Sequence, residues 1–588
     1  MIDILDTLKF IRERGLRSGI IENGLIEHNN SLELMSLASA RSAPQLYHSI
    51  AEMNTEIRSI MNQAHLPYKI SLLVIALFVF LSTSFSKQRP NIVFILVDDM
   101  GFSDIGCYGG EVKTPHLDRL AENGLRFTNM YNTSKCFPSR ACLITGVYAQ
   151  QCGMSRSSKG IKNAITMADL LRTEGYRTLA VGKHHSNKSL HDRGFDRFYG
   201  FHYGPGKSCA NHFNPGQKRS GEGVPARKKG ESRAYCFDDR KMLPYYTPKE
   251  KDWYTTDYFT KWAIDFLEEY KNEDNPYFLY VSYTAPHDPL HAWPEDIAKY
   301  EGVYDEGYEA IRNARFKRQK ELGLFGPEAL LPKPSRKPWN SLSIGQKKVQ
   351  ARRMQVYAAM IDRVDQNVGK LLAKIKELGE EDNTLIMFAS DNGSSAENVD
   401  TGTGEVGSIT RWSSLQKDWA NVSNTPFRYW KNLSYEGGIC TPFIAYWPQV
   451  ITNKGKINRQ PVHFVDIMTT VSNITDASYP ASFNGERIIP LQGESLLPAL
   501  QGRVLPRRDK PIFFEYRSGG AVRDGKWKLV TKSIPKKPKN PLKDEINWEL
   551  YDMSADMTET RDIAKENAEV VQRLSQLWQN WYAESYRL

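Results

Sequence analysis

The segment Cys136-Phe-Pro-Ser-Arg140 places a thiol and a guanidinium four residues apart. Pro138 has the fixed φ that suits a first helical turn, and Gly146 can end the helix. Position 136 would then lie at a helix N-terminus, where free N–H groups and the helix dipole favour negative charge. Arg140 would lie on the same face one turn later. The segment predicts an anion site around a reactive group, and the alternative is a helix whose buried thiol only packs.

Polar residues also follow four apolar, β-rich segments. Continuous apolar runs are typical of strands buried on both faces, and ligands of open α/β sheets bind beyond the carboxyl ends of the strands. Taken singly, each polar group has an ordinary explanation as a turn or a loop residue. Taken together, they are expected to converge on one site. The pairs of segment and following residues are Asn91–Val97 with Asp98 and Asp99, Arg177–Val181 with Gly182-Lys183-His184-His185, Tyr277–Thr284 with Ala285-Pro286-His287, and Thr384–Ala389 with Asp391-Asn392-Gly393.

Helical patterns alternate with these segments. A capping box at Thr166–Asp169 predicts a helix that Gly175 ends, and Arg352–Leu378 carries apolar residues at helical spacing. The alternation predicts an α/β fold with an open, mostly parallel sheet flanked by helices. From about residue 505 the pattern changes to short strands with glycine turns and a final helix, Glu566–Trp581. We therefore expect a main domain over residues 87–504 and a smaller C-terminal α+β domain over 505–588.

The acidic and amide residues after the first and fourth segments are hard oxygen ligands. Asp98, Asp99, Asp391 and Asn392 suit Ca²⁺, with Mg²⁺ as the alternative ion, and they do not form a zinc set. An oxygen at position 136 would complete this coordination shell, whereas a thiol is a poor ligand for such an ion. The mismatch argues that residue 136 is not a cysteine in the working protein.

Bulk composition limits the partners. The 588 residues carry a net charge of +10, with basic residues concentrated at 207–251 and 503–543. Because no aromatic-interleaved nucleic-acid motif accompanies them, we expect no nucleic acid and favour an anionic substrate; solvated basic loops are the alternative. The seven cysteines show no Cys-x-x-Cys spacing, and Cys209 with Cys236 is the predicted disulfide pair.

The N-terminal region resembles a targeting segment. Ser71–Leu81 is an apolar run of signal-peptide length, well short of the ~20 residues that span a membrane. Residues 61–86 are therefore predicted to be a signal peptide, residues 1–60 have a doubtful status, and translation is expected to start at Met53 or Met61. The protein is then secreted or periplasmic with no stable membrane span. The alternative is an uncleaved anchor over residues 70–82.

The motifs together resemble those of the type I sulfatases, and the resemblance extends from Arg89 to the C-terminus. It implies an alkaline-phosphatase-like fold and hydrolysis of aryl sulfates or sulfated carbohydrates. The C-terminal part resembles that of bacterial arylsulfatases. The matching motifs are residues 89–99, the segment from Cys136 to Gly146, Gly182-Lys183-x-His185, Ala285-Pro-His287, Asp391-Asn-Gly393 and Lys431-x-x-x-Tyr-Glu-Gly-Gly438.

The resemblance also implies roles for individual residues. A maturation enzyme would oxidise Cys136 to formylglycine, whose hydrated aldehyde is the nucleophile. Arg140 and Lys183 would stabilise the hydrate, and Lys183 and Lys431 would bind the sulfate. His287, with Lys431, would protonate the leaving group. His185 would take a proton from the second hydroxyl. The implied Ca²⁺ ligands are Asp98, Asp99, Asp391, Asn392 and the modified residue 136.

One departure and two rival functions accompany this resemblance. The family usually has an aromatic residue where this chain has His184, which puts the specificity in doubt and leaves the chemistry intact. His291 could also reach the leaving group, although its type and position favour a structural role. A phosphodiesterase or phosphonate monoester hydrolase of the same superfamily is the rival enzyme, and a polysaccharide-binding pseudo-sulfatase is the rival without activity.

Overall fold

The computed structural model describes residues 89–586 apart from 187–188, 203–206, 209–210, 214–231, 234, 240, 244–249, 336 and 535–545. The predicted signal peptide, the segment before it and Cys209 of the predicted disulfide lie outside the described residues. Within the described part of the chain, no helix combines the length and the apolar composition that a bilayer crossing requires.

Strands occur along the whole described chain. In chain order they are β1 (Asn91–Val97), β2 (Leu125–Tyr131), β3 (Arg177–His184), β4 (Arg197–His202), β5 (Lys207–Ser208), β6 (Ser232–Arg233), β7 (Tyr235–Asp238), β8 (Lys241–Leu243), β9 (Tyr277–Ser282), β10 (Thr384–Ser390), β11 (Asp400–Gly402), β12 (Arg411–Ser413), β13 (Cys440–Tyr446), β14 (Lys456–Asn458), β15 (Val462–His463), β16 (Ser482–Phe483), β17 (Glu486–Arg487), β18 (Ile512–Tyr516), β19 (Gly519–Asp524), β20 (Trp527–Thr531) and β21 (Glu549–Asp552).

Helices separate most of the long strands. The α-helices are α1 (Pro115–Asn123), α2 (Cys136–Thr145), α3 (Met167–Thr173), α4 (Thr255–Tyr270), α5 (Pro294–Ala298), α6 (Gly307–Glu321), α7 (Ile344–Glu377), α8 (Gln416–Ser423), α9 (Glu436–Ile439), α10 (Val465–Thr475), α11 (Leu497–Leu500) and α12 (Ala568–Ser585). Short 3₁₀ helices lie at Gly106–Tyr108, His191–Arg193, Trp339–Ser341, Glu381–Asn383 and Lys565–Asn567.

The described residues form one large mixed sheet in the order β14-β2-β13-β10-β1-β9-β3-β4-β7-β8, with β15 beside β2. Its centre, β10-β1-β9-β3-β4, is parallel, and antiparallel pairs occur on both sides of that centre. The predicted parallel-dominated α/β sheet is confirmed. Because parallel neighbours end at the same edge, the residues after β1, β9 and β10 meet there.

The central strand β1 is buried on both faces, as its continuous apolar run predicts. Val93, Ile95 and Val97 pack into a core with α1, α4 and α7. The alternating residues Ile92 and Phe94 pack into a second core with α2, α3 and α10 on the opposite face. This alternation follows from the two-residue period of a strand. The result is a rigid three-layer scaffold for the strand ends.

The C-terminal region contains a separate antiparallel sheet, β18-β19-β20-β21, with α12 packed on it. The predicted strands Ile512–Tyr516 and Trp527–Thr531 have the observed bounds, and the terminal helix begins two residues later than predicted. The predicted α+β character of this region is confirmed. The predicted division of the chain between residues 504 and 505 stays a prediction.

Candidate active site

Helix α2 positions the thiol and the guanidinium of the first motif. It begins at Cys136 and ends at Thr145, and Gly146 closes it at a φ of 71° while donating its N–H to the carbonyl of Cys142. Ser139 helps to fix the approach to the helix, because its hydroxyl accepts the N–H of Thr133 at 3.0 Å. The predicted helix is confirmed, and all of its residues are buried.

The strand ends converge as predicted. Asp98 and Asp99 follow β1, and Asp391 and Asn392 follow β10, its parallel neighbour. His287 follows β9, on the other side of β1. Lys183 differs slightly from the prediction, because it lies inside β3 instead of after it. The strand continues to residue 184 because β4 pairs with it over that length.

Three buried carboxylates each lie within 2.7 Å of a different cationic side chain. The Nζ of Lys183 lies 2.5 Å from Asp98 Oδ2. The Nζ of Lys431, from the loop before α9, lies 2.6 Å from Asp99 Oδ2. The Nε of Arg140 lies 2.7 Å from Asp391 Oδ2. The structure therefore brings Lys183, Lys431 and Arg140 to the carboxyl ends of β1 and β10.

The donor set fits a hard cation. Ligand atoms of Asp98, Cys136 and Asp391 lie within 4.8 Å of one another. Asp98 also forms a second group with Asp99 and His287. Asn392 Nδ2 donates to Asp99 Oδ1 at 2.7 Å. Among the described residues, neither Asp98 Oδ1 nor Asn392 Oδ1 has a hydrogen-bond partner, although both are buried. Buried oxygens of this kind suit Ca²⁺ or Mg²⁺.

The local charges act strongly on residue 136. Burial alone would raise the pKa of the Cys136 thiol, but the ammonium groups of Lys183, Lys431 and Lys135 outweigh burial and lower it. Burial, together with the negative charges of Asp98 and Cys136, raises the pKa of Asp391 to about 7. A site in which cations surround position 136 favours an anionic nucleophile or an anionic substrate there.

His287 faces the carboxylates. Its Nε2 lies 3.4 Å from Asp99 Oδ2, and its Nδ1 lies 2.7 Å from Asp288 Oδ1. A contact to the main chain also fixes this residue, because His212 Nε2 lies 3.0 Å from the carbonyl oxygen of His287. This arrangement directs one ring nitrogen into the site, as proton transfer to a leaving group requires.

His185 lies beside the first residues of α2. Its ring makes an edge contact with Phe137 at a centroid distance of 5.5 Å. Burial lowers its pKa well below the usual range, and the charges of Lys183 and Arg140 add to that effect. A neutral imidazole beside residue 136 is suited to accept a proton.

The two other histidines of these motifs take different places. His291 packs its ring on Phe213, and its Nε2 lies 3.0 Å from the carbonyl oxygen of Arg411. These contacts support the structural role that its sequence position favours. His184 is half-buried, with its ring 6.5 Å from that of Phe198.

Sequence reasoning missed three residues that shape the site. Lys135 precedes the thiol directly, and its position in the chain could have revealed it. Ser282 Oγ, at the end of β9, accepts a hydrogen bond from Arg140 Nη1 and donates one to the carbonyl of Lys183 at 2.9 Å. Tyr357 donates to the carbonyl of Asp99 at 3.0 Å from the middle of α7. No local pattern marks that tyrosine, because it differs from its helical neighbours only through a distant contact.

The comparisons with known proteins identify the class. A family model described as Sulfatase matches residues 90–477, and one for the C-terminal region of N-sulphoglucosamine sulphohydrolase matches residues 427–583. An arylsulfatase of Klebsiella aerogenes is 32% identical over 456 residues, which is 72% of this chain and 94% of that protein. An uncharacterized sulfatase of Schizosaccharomyces pombe is 29% identical over 551 residues, 85% of this chain and 96% of that protein.

Solved structures agree with the sequence comparisons. The crystal structure of Ps i-CgsB in complex with k-i-k-neocarrahexaose superposes with a TM-score of 0.61 at 25% identity, covering 84% of this chain and 93% of that one. The fold and the site define a hydrolase of the alkaline-phosphatase-like class. Within that class the chain belongs to the sulfatase family, whose members are sulfuric ester hydrolases.

Proposed function

We propose that this sulfuric ester hydrolase cleaves aryl sulfates or sulfated carbohydrates with a formylglycine made from Cys136 and a bound Ca²⁺. The placement of Cys136 carries the proposal, because residue 136 lies at a helix start, beside Asp98 and Asp391, and under the influence of three lysines. A carbohydrate substrate is supported by the similar structure that holds a neocarrahexaose.

Position 136 supplies the nucleophile in this proposal. A maturation enzyme and its oxidant remove the sulfur and convert the side chain to an aldehyde, which then adds water. One hydroxyl of the hydrate passes its proton to a neighbouring carboxylate, and its oxygen attacks the sulfur of the substrate. The bond from sulfur to the alcohol oxygen breaks as the new bond forms. Lys183 and Lys431 bind the sulfate oxygens, and Arg140 holds the hydrate.

The Ca²⁺ would be held by Asp98, Asp99, Asp391, Asn392 and the oxygen at position 136. When bound, it supplies Lewis-acid stabilisation of negative charge at the nucleophile and at the sulfate.

Two histidines move the protons. His287, with Lys431, donates a proton to the departing alcohol oxygen. His185 then takes the proton of the second hydroxyl at position 136, so that the carbon–oxygen bond to sulfate breaks and the aldehyde forms again. The neutral state that burial gives to His185 suits this second step.

The targeting prediction completes the proposal. We infer secretion or transport to a periplasm after removal of residues 61–86, with an anchor over residues 70–82 as the alternative. N-terminal sequencing of secreted protein would decide, and a mature start upstream of Met53 would contradict the predicted translation start at Met53 or Met61.

The mass of the proteolytic peptide that contains residue 136 tests the nucleophile. Active protein co-expressed with a maturation enzyme should show the aldehyde, and an unmodified peptide from active protein would end the formylglycine account. Kinetics with an aryl sulfate and an aryl phosphodiester test the substrate class. A strong preference for the diester would favour the phosphodiesterase alternative.

A further inference from the structure

The loop that carries Lys431 is held in an unusual conformation. We call residues 428–436 the Lys431 loop. Two of its non-glycine residues, Tyr429 and Asn432, have φ values of 60° and 78°. Such left-handed conformations persist only where the surrounding structure fixes them. The position of Lys431 therefore depends on contacts that hold this loop.

The end of the loop is fixed by a group of buried charges. Lys528 of β20 lies between two carboxylates, with its Nζ 2.5 Å from Glu436 Oε1 and 2.7 Å from Glu559 Oε1. Glu559 also accepts the N–H of Glu436 at 3.0 Å, and Tyr131 donates to Glu436 Oε2 at the same distance. Lys528, Glu436 and Glu559 are all 0% exposed.

The beginning of the loop is held by the same part of the chain. Arg428 Nη1 lies 2.6 Å from the hydroxyl of Tyr551 and 3.0 Å from the carbonyl of Glu559. Tyr435, near the other end, donates to Glu549 Oε1 at 2.7 Å. The C-terminal sheet and the turn after it therefore hold both ends of the Lys431 loop.

We propose that Lys528 and Glu559 are positioning residues that act on the reaction through Lys431. The inference rests on the proposed role of Lys431 in binding the sulfate group. Buried charges hold their partners in one geometry, because a charge that loses its partner in a buried site is strongly disfavoured. The C-terminal region then supports catalysis, although Lys528 and Glu559 act only by holding the Lys431 loop.

The first experiment compares two lysines of one hairpin. Lys528→Met keeps the length of the side chain and removes the buried ammonium. The matched control is Lys526→Met, because Lys526 is exposed and pairs with Asp552 at 2.8 Å beside the same strand. A displacement of about 1 Å can cost roughly a hundredfold in rate, so kcat per folded molecule should fall by about ten- to a hundredfold in the first variant. It should stay within about twofold in the control.

A double-mutant cycle separates positioning from general stability. If Lys528 acts through Lys431, Lys528→Met should cause no further loss of kcat in a Lys431→Ala background. Independent, multiplying losses would overturn the inference and leave the role of Lys431 intact. Full activity of Lys431→Ala alone would instead refute the proposed function of that lysine.

A milder variant covers the case in which Lys528→Met does not fold. Glu559→Gln keeps the shape of the side chain and replaces one of the two buried carboxylates that contact Lys528 Nζ. It should lower kcat by a larger factor than it raises KM, and it should not lower kcat further in the Lys431→Ala background. An unchanged kcat in Glu559→Gln, with Lys431→Ala impaired but still measurable, would contradict the inference.

Discussion

Replacing His287 with alanine should separate substrates by their leaving groups. General acid assistance matters less as the leaving group becomes a weaker base, so the variant should be impaired far more with sugar or alkyl sulfates than with activated aryl sulfates. The site supports this substitution, since the bond from His212 goes to the main-chain carbonyl of His287 and does not need its side chain. The backbone around residue 287 should therefore keep its conformation.

The expected magnitude follows from the single proton that His287 is proposed to move. Proton transfer by one positioned side chain contributes about 10²–10⁴ in rate. At 1.36 kcal/mol for each tenfold change, this is about 3–5 kcal/mol of the barrier. We expect that loss with a sugar sulfate and a loss below about tenfold with a nitrophenyl sulfate. Truncation of one buried side chain costs about 0.5–3 kcal/mol of stability, which a domain stable by about 5–15 kcal/mol can tolerate.

The assay is steady-state kinetics of three proteins with both substrates. His291→Ala is the matched control, because His291 is equally buried on the same loop but bonds to the carbonyl of Arg411. Its ratio of the two rates should equal that of the unaltered enzyme. The reasoning is refuted if His287→Ala slows both substrates by one common factor. A raised KM with unchanged kcat would likewise show that His287 only binds the substrate.

The remaining predictions concern the ion, the second histidine and a buried acid. Asp98→Ala or Asp391→Ala should abolish turnover, and chelation should do so reversibly. Ca²⁺ should raise the Tm of the unaltered protein but not that of either variant. Full activity without metal would contradict the ligand assignment. His185→Ala should slow turnover of both substrates alike after a burst of alcohol, and intact-protein mass spectra should show sulfate held on residue 136. Slow turnover without that adduct would exclude the proposed role of His185 in releasing sulfate. Burial raises the pKa of Asp365 from 3.8 to about 7, so the folded state retains a proton that the unfolded chain releases, and stability falls as pH rises through that window. The Tm of Asp365→Asn relative to that of the unaltered protein should therefore be higher at about pH 8 than at about pH 5. An equal difference at both pH values would refute the argument.

Much of the fold could be predicted because its central strands carry local signals. β1 has the predicted bounds, since a run of seven residues buried on both faces leaves a continuous apolar pattern. The capping box at Thr166 is present, and Ser343 forms another that starts α7 eight residues before the predicted helix. That early start was missed because the first turns of α7 are exposed and carry few apolar residues.

The rest of the fold depends on contacts between distant residues. β2 was not predicted, because its mixed sequence, Leu-Arg-Phe-Thr-Asn-Met-Tyr, carries no clear alternation. It forms because β13 and β14 pair with it from either side. Tyr357 and Lys528 could not be recognised for the same reason, since each is defined by a partner more than ninety residues away.

The burial of Cys136 constrains when its chemistry is established. In the folded protein this residue is 1% exposed, and all residues of α2 are buried. An enzyme that oxidises the thiol needs access to the side chain and to the segment around it. Lys431 comes from a loop almost three hundred residues later, and the C-terminal sheet holds that loop from both ends. In the proposed formylglycine mechanism, oxidation of residue 136 therefore has to precede the folding step that buries its side chain.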